Sequence, residues 1–251
     1  MPKFTLKDLE RFKKQIILKN VGLHGQEKIS KIKVLVVGAG GLGCPLLIYL
    51  ANSGVGNIGI IDHDKVELSN LNRQIIFQYK DIGKYKVIEA KKYIKKINKK
   101  IKVFTYKEKL TKKNIKKIFD RFDIICDGTD NFESRFLIND FCKSKKKILI
   151  SSAINRFEGH LFKFNFRKKG PCFRCYMPES TDLNNNCDTE GVMPSLAGVM
   201  GSLQANEVIK SVINTKGNFS GNMLIVDVLS LKFRKVKILK NNKCINRCTN
   251  S

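Results

Sequence analysis

The sequence predicts an α/β fold, with a mostly parallel sheet carrying helices on both faces and C-terminal antiparallel strands. Three observations support this. Short apolar runs alternate with helical patterns from residue 31 to residue 155. The first run leads into Gly38-Ala39-Gly40-Gly41-Leu42-Gly43, a glycine-rich turn between a strand and a helix. After residue 155 the pattern shifts to strand-type alternation flanked by two separated cysteine pairs.

Taken in order, residues 7–30 read as one or two helices, apolar at Leu9, Phe12, Ile16 and Ile17. They precede the first strand, so they pack outside the sheet or reach a partner. Lys33 to Val37 is rich in β-branched residues and reads as a buried strand. Leu42 to Ser53 is the helix after the turn, and Gly54 supplies its C-cap. Ile58 to Ile61 is the next strand, ending at Asp62, and residues 63–80 are polar and irregular. Helix Lys84 to Ile97, strand Lys102 to Thr105, helix Lys112 to Phe119 and strand Asp123 to Asp127 follow, then helix Phe132 to Cys142 and strand Lys147 to Ser151. Gly159 to Phe166 alternates as a strand, and residues 178–194 lack periodicity and read as a long loop. Leu196 to Ile213 is a helix. Its small residues Ala197, Gly198, Gly201 and Ser202 suit close packing, either internally or at a homodimer interface. Asn222 to Asp227 and Leu231 to Ile238 close the chain as strands. The expectation is a single domain over residues 1–251, with N-terminal helices in 1–30 and halves at 31–155 and 156–251.

The net charge of +26 is carried mostly by lysines spread along the chain. That spread reads as solvated helix faces, although an acidic partner would also suit it. No helix-turn-helix or RNA-binding signature accompanies the charge, so nucleic acid is not an expected partner. No segment approaches the ~20 apolar residues that span a bilayer, so no membrane is expected. Met1 to Lys14 is polar, without an apolar leader region. The expected compartment is the cytoplasm, where clustered cysteines read as metal ligands or reactive thiols.

Gly38-x-Gly40-x-x-Gly43 fits a phosphate site, because its glycines allow close backbone approach and the following helix offers its positive end. Asp62 ends the second strand, where a carboxylate can bond a ribose hydroxyl. This Rossmann-like fingerprint alone does not choose between a nicotinamide dinucleotide and ATP. An NAD(P)-dependent oxidoreductase is therefore one reading. The segment Ser69-Asn70-Leu71-Asn72-Arg73-Gln74 adds an arginine able to grip phosphate oxygens in two places, and Lys86 opens the next helix. Asp130 and Asn131 follow a strand at the carboxyl edge of the sheet, where ligands bind. A carboxylate there, beside two cations, suits Mg²⁺ on a triphosphate.

Cys172-x-x-Cys175 and Cys244-x-x-x-Cys248 supply four thiolates, enough for a closed Zn²⁺ site in a zinc-binding loop region. Cys187 stands apart in a polar loop, as a candidate nucleophile. Cys44, Cys126 and Cys142 fall in helix or strand patterns and read as core.

Together, GAGGLG, DHDKVELSNLNRQ, DGTDN, CFRC and GVMGSLQANEVIK resemble the bacterial ThiF/MoeB/HesA family, relatives of the ubiquitin-activating enzymes, from Arg11 to Cys248. The resemblance implies a nucleotidyltransferase that binds ATP and a ubiquitin-like sulfur-carrier protein, of MoaD or ThiS type, ending in Gly-Gly. Such an enzyme adenylates that carboxylate for molybdopterin or thiamine biosynthesis. By the same resemblance, Gly41, Asp62, Ser69, Asn70, Leu71, Asn72, Arg73, Lys86, Asp130 and Asn131 contact ATP. Asp130 holds Mg²⁺, and Arg73 and Lys86 neutralise phosphates. The resemblance further implies a homodimer in which Lys14, standing where the family usually has arginine, reaches the neighbouring subunit's γ-phosphate. It makes Cys187 the candidate for a thioester or persulfide link. It assigns nucleotide binding to residues 31–155, and carrier and zinc binding to 156–251. The second cysteine pair is one residue longer than the family's usual spacing.

Overall fold

The computed structural model describes residues 4–178, 191–213, 215, 219–246 and 248. Two helices, α1 (Leu6–Ile16) and α2 (Gly22–Lys31), lead into β1 (Lys33–Val37). There follow α3 (Gly43–Asn52), β2 (Asn57–Ile61), α4 (Lys86–Ile97), β3 (Lys102–Tyr106), α5 (Ile115–Phe119), β4 (Ile124–Asp127) and α6 (Phe132–Ser144). The remainder is β5 (Ile148–Asn155), β6 (Glu158–Asn165), the short α7 (Phe173–Tyr176), α8 (Pro194–Ile213), β7 (Asn222–Asp227) and β8 (Lys232–Lys237). Among the described residues no helix is long and apolar enough to cross a membrane.

The strands form one sheet in the order β3-β2-β1-β4-β5-β6-β7-β8. The first five in that order are parallel, and β5 to β8 pair antiparallel. The mixed α/β sheet expected from the sequence is therefore the fold. From β1 the chain winds outward to β2 and β3, then returns to place β4 on the other side of β1. The order reverses between β1 and β4, and a crevice opens at such a point beyond the carboxyl ends of the strands. The loops after β1 and β4 line it.

Strand alternation divides the core in two. Val34 and Val36 face a cluster with Leu46, Leu47 and Leu50 of α3, Val87 and Ile94 of α4, and Leu196 and Met200 of α8. Leu35 and Val37 face the other side, against Ile118 and Phe119 of α5, Phe136 and Ile138 of α6, and the cysteine region. This period-two division explains why β1 reads as an unbroken apolar run: both its faces are covered. Cys44, Cys126 and Cys142 are fully buried, as their patterns imply.

Several element limits differ from the sequence reading, for local reasons. α5 starts at Ile115 rather than Lys112, because Thr111 and Asn114 spend their side chains on each other's backbone N–H groups in a turn ahead of it. β5 runs on to Asn155 because the hairpin partner β6 supplies ladder bonds as far as Glu158. α3 ends at Asn52 with Ser53 as its cap. Gly54 takes the left-handed turn (φ +83°), letting Val55 N donate back to Leu50 O at 3.0 Å. The small face of α8 also has its answer. Ala197 and Gly201 are buried, and a Cβ on Gly201 would lie 2.5 Å from both Leu42 O and Pro45 Cγ. Ala197 and Gly201 thus pack on α3 within the protein, while Gly198 and Ser202 on the same helix are half-buried.

Candidate nucleotide crevice and cysteine centre

The glycine turn leaves β1 with Gly38 at φ +91°, and Gly38 N donates to Ile61 O at 2.9 Å. A Cβ on Gly43 would lie 2.0 Å from Gly38 O, so α3 starts directly on the turn and tolerates no side chain there. Among the described residues no side chain caps α3, which leaves its positive end available to an anion. Asp62, at the end of β2, takes the Ala39 N–H on Oδ2 at 2.7 Å and the Asp64 N–H on Oδ1 at 2.8 Å. Burial raises the pKa of the Asp62 carboxyl, and those two N–H groups and the Lys86 charge work against that rise.

The segment read as irregular folds back over the turn through two tight turns, at Leu68–Asn70 and Tyr79–Asp81. Asn70 is buried, and its Oδ1 accepts from Glu67 N at 3.3 Å, which closes the first turn. Ser69 Oγ donates to Glu67 Oε2 at 3.5 Å, and Leu71 packs into the core. The stem of Arg73 lies along Gly41, whose missing Cβ would sit 3.3 Å from Arg73 Cγ. The Arg73 guanidinium donates to Ser69 O at 3.0 Å and Asn72 Oδ1 at 3.1 Å. Gln74 is buried nearby with Oε1 lacking a hydrogen-bond partner, and its Nε2 is 3.9 Å from where a Gly40 Cβ would stand. Lys86, at the start of α4, is buried and pairs with the half-exposed Asp64 at 2.9 Å.

The β4–α6 loop forms the other wall. Gly128 N donates to Val37 O at 3.0 Å, tying the loop to β1. Asn131 caps α6 by accepting from Ser134 N at 2.9 Å, and its Nδ2 donates to Asp130 Oδ1 at 3.3 Å. Asp130 and Asn131 are exposed. Beneath them Asp127 is completely buried.

The glycines, Asp62, Ser69 to Arg73, Lys86, Asp130 and Asn131 thus all belong to segments meeting at one carboxyl edge of the sheet. Lys14 does not. It is exposed on α1, which docks at the opposite edge: Gln15 Nε2 donates to Ser53 O at 3.1 Å, and Arg11 donates to Ile97 O. Cys187 lies outside the described residues. Sequence reasoning missed Asp64, Gln74, Asp127 and Arg135. Asp127 heads the same DGTDN run as Asp130, and Arg135 is an arginine in a lysine-rich chain, so both carried a signal.

The cysteine centre lies on the far side of the sheet. The Sγ atoms of Cys172, Cys175, Cys244 and Cys248 all lie within 4.8 Å of one another, with Cys172 and Cys244 at 3.6 Å. Sulfurs on a tetrahedral zinc stand about 3.8 Å apart at Zn–S bonds of about 2.3 Å, so the spacing fits. The extra residue between Cys244 and Cys248 does not prevent convergence. Burial first, and then the neighbouring Cys172 and Cys175 sulfurs, together push Cys244 up to about 11. Four adjacent thiols need a cation before all can ionise, which is what a metal supplies. Around the sulfurs, Asn246 Nδ2 donates to Cys172 Sγ at 3.7 Å and to Asp140 Oδ1 at 2.7 Å. Arg174 grips Asp140 with Nε at 2.8 Å from Oδ1 and Nη2 at 2.7 Å from Oδ2. Asp62, His63 and Asp64 also bring ligand atoms within 4.8 Å of one another, but Asp64 is paired with Lys86.

Comparison with known proteins places this geometry in context. The sequence model of the ThiF family matches residues 12–246. The "Adenylyltransferase and sulfurtransferase MOCS3" of Culex quinquefasciatus is 42% identical over 94% of this chain and 54% of its own length. The "Sulfur carrier protein adenylyltransferase" of Thermus thermophilus is 36% identical over 96% of this chain and 92% of its own. The chain spans about half the length of the first curated relatives it matches. Among solved structures, E. coli MccB with MccA-N7isoASN superposes with a TM-score of 0.84 at 20% identity, over 99% of this chain and 76% of that one. At that identity the likeness shows the fold.

Proposed function

The chain belongs to the ThiF family, and from that premise we propose that it is an ATP-dependent adenylyltransferase. Its substrate is a ubiquitin-like sulfur-carrier protein with a C-terminal Gly-Gly carboxylate, of the kind that serves molybdopterin or thiamine biosynthesis. The activity named for the Thermus relative, matched over nearly its whole length, supports this. The observation that carries it is the pair of fixed cations at the switch point: Arg73 laid on Gly41, and Lys86 held by Asp64. Nicotinamide chemistry calls for no such pair, whereas a triphosphate does.

In this reading a carrier carboxylate oxygen attacks the α-phosphorus of ATP. A new acyl–O–P bond forms, and the bond to pyrophosphate breaks. The attacking group is already ionised, so no general base is needed. The obstacle is repulsion between anions. Arg73, Lys86 and the uncapped start of α3 offset that charge and stabilise the departing pyrophosphate. Asp62 accepts a ribose hydroxyl, and the bound nucleotide lies along Gly38, Gly40, Gly41, Gly43 and residues Ser69 to Asn72. Asp130, with Asn131, would hold Mg²⁺, which supplies further charge neutralisation when bound.

Cys172, Cys175, Cys244 and Cys248 would hold Zn²⁺ in a closed, structural site, consistent with a reducing, cytoplasmic setting. The carrier contact is assigned to residues 156–251, with Cys187 as the candidate for a covalent link to the carrier. A homodimer completes the proposal. Lys14 stands at the edge opposite its own crevice, so its phosphate contact requires a second copy. Leu6, Ile17 and Leu18 beside it are more than half exposed and offer that copy an apolar face.

The test is ATP–pyrophosphate exchange with Gly-Gly-ended carriers. Exchange should depend on the carrier, and Asp130→Ala should slow it roughly a hundredfold or more. Tight NAD(H) binding without exchange would overturn the reading.

A further inference from the structure

We infer that Asp127 and Arg135 are positioning residues: a buried clamp that fixes the Gly128–Asn131 loop and so presents the Asp130 carboxylate to magnesium. This rests on the reading of Asp130 as the magnesium ligand.

Asp127 ends β4 with its side chain fully out of water. A buried carboxylate is costly unless its acceptor sites are filled. Here they are. Oδ1 accepts from Thr129 N at 2.9 Å and from Thr129 Oγ1 at 2.7 Å. Oδ2 accepts from Ser151 Oγ at 2.6 Å and faces Arg135 Nε at 3.9 Å. Both Thr129 bonds reach two residues forward, so the carboxylate folds the loop back on itself.

Arg135 closes the same loop from the other side. It is nearly as buried as Asp127, lies over the Phe173 ring at 5.8 Å, and Nη2 donates to Thr129 O. Thr129 therefore has its N–H, its hydroxyl and its carbonyl all bound, one residue before Asp130. Below, Gln204 Nε2 donates to Asp127 O at 2.9 Å and Ile150 O at 3.3 Å, anchoring the strand end to α8. One residue after Asp130, Asn131 is fixed as the cap of α6.

Asp130 is thus an exposed residue in a loop pinned on both sides. A strand end that needed only filling would be served by an apolar residue. An ion pair with this many hydrogen bonds is what holding one backbone geometry requires. Precision matters at that position because a metal ligand displaced by even a fraction of an ångström binds less well.

The experiment titrates magnesium, using the full chain, the carrier and ATP. Pyrophosphate exchange is read in parallel with Mg·ATP binding by calorimetry. Asp127→Asn keeps the shape but removes the charge facing Arg135, and should raise the half-saturating magnesium concentration ten- to a hundredfold, the scale at which outer-shell partners of a metal act. The KM for the carrier should stay unchanged. Thr129→Val removes one hydroxyl bond and should raise the midpoint about fivefold. This milder variant decides the matter if Asp127→Asn does not fold. A merely structural role would lower the melting temperature and the yield of active protein while leaving the magnesium midpoint where it was. That outcome, in a folded variant, overturns the clamp and leaves the proposed function intact. A wild-type protein that neither exchanges nor binds Mg·ATP overturns both.

Discussion

The nucleotide crevice sits at the carboxyl edge of the sheet and the cysteine centre against one of its faces, and they are built in opposite ways. The crevice is a product of backbone. A glycine turn, an uncapped helix start and a loop tied to β1 set its shape, and side chains such as Arg73 are laid onto that shape. The cysteine centre is a product of side chains. Cys172 and Cys244 are 72 residues apart in sequence and are brought together across the antiparallel pairing of β6, β7 and β8. A network from Asn246 through Asp140 to Arg174 then holds them from outside. The first region is specified by short motifs and spoiled by adding atoms. The second is specified by long-range convergence and spoiled by removing them.

The sharpest way to break this contrast is to remove one sulfur. Cys172→Ser should abolish stoichiometric zinc, measured by metal analysis. It should also lower unfolding stability by on the order of 5 kcal/mol, because zinc held at the proposed site would be coupled to folding. The crevice should keep its ATP affinity below the new melting temperature. Full stability in a zinc-free variant would show that the side-chain network suffices without metal.

The converse change adds a methyl to the crevice. Gly43→Ala puts a Cβ at 2.0 Å from a backbone oxygen, which no rotamer can relieve. The expected cost is about 3 kcal/mol, with loss of nucleotide binding and retention of zinc. Gly198→Ala is the control: a Cβ there meets nothing within 4 Å, and in a helix interior it should add about 0.5–1 kcal/mol of stability. Equal responses at the two glycines, read by chemical denaturation, would remove close approach as the explanation.

The same contrast accounts for what the sequence made legible. The glycine turn, Asp62 and DGTDN are local, and their strand–turn–helix setting follows from alternation of short apolar runs. The cysteine pairs and their joining into one four-thiolate site were legible from count and spacing, but how they meet was not, since it depends on the register of three antiparallel strands. Residues 63–80 looked featureless because their order comes from hydrogen bonds such as Asn70 to Glu67 rather than from periodicity. Asp127 and Arg135 carried a signal but no sign of their pairing, because which charges a fold buries together depends on its packing. The small face of α8 could not be assigned from sequence, because Gly201 packs equally well on α3 or on a second subunit until the fold selects one.

Acid gives the smallest effect and separates the two regions by sign. Asp62 in the crevice is raised above the ordinary 3.8 by burial. Its charged form is disfavoured in the fold, so protonation as pH falls through that raised value relieves the fold but removes the acceptor proposed for the ribose. Nucleotide affinity should therefore decline with acid at a pH above 3.8, and Asp62→Asn should flatten the decline. Asp140 beside the cysteines behaves in the opposite way. Burial would raise it, but hydrogen bonds from Arg174, Asn246 and Asn139 hold it below 3.8. Its contribution is present above the unfolded value and lost as pH falls through the depressed one. Asp140 is about 35% exposed, so solvent screening limits that contribution to about 1 kcal/mol. The stability gap between wild type and Asp140→Asn should be constant near neutrality and close below pH 3.8, with acid effects common to both proteins cancelling in the difference. A gap that closed at higher pH than the nucleotide affinity declines would reverse the assigned signs. The crevice would then be the region held by paired charge and the cysteine flank the one strained by burial.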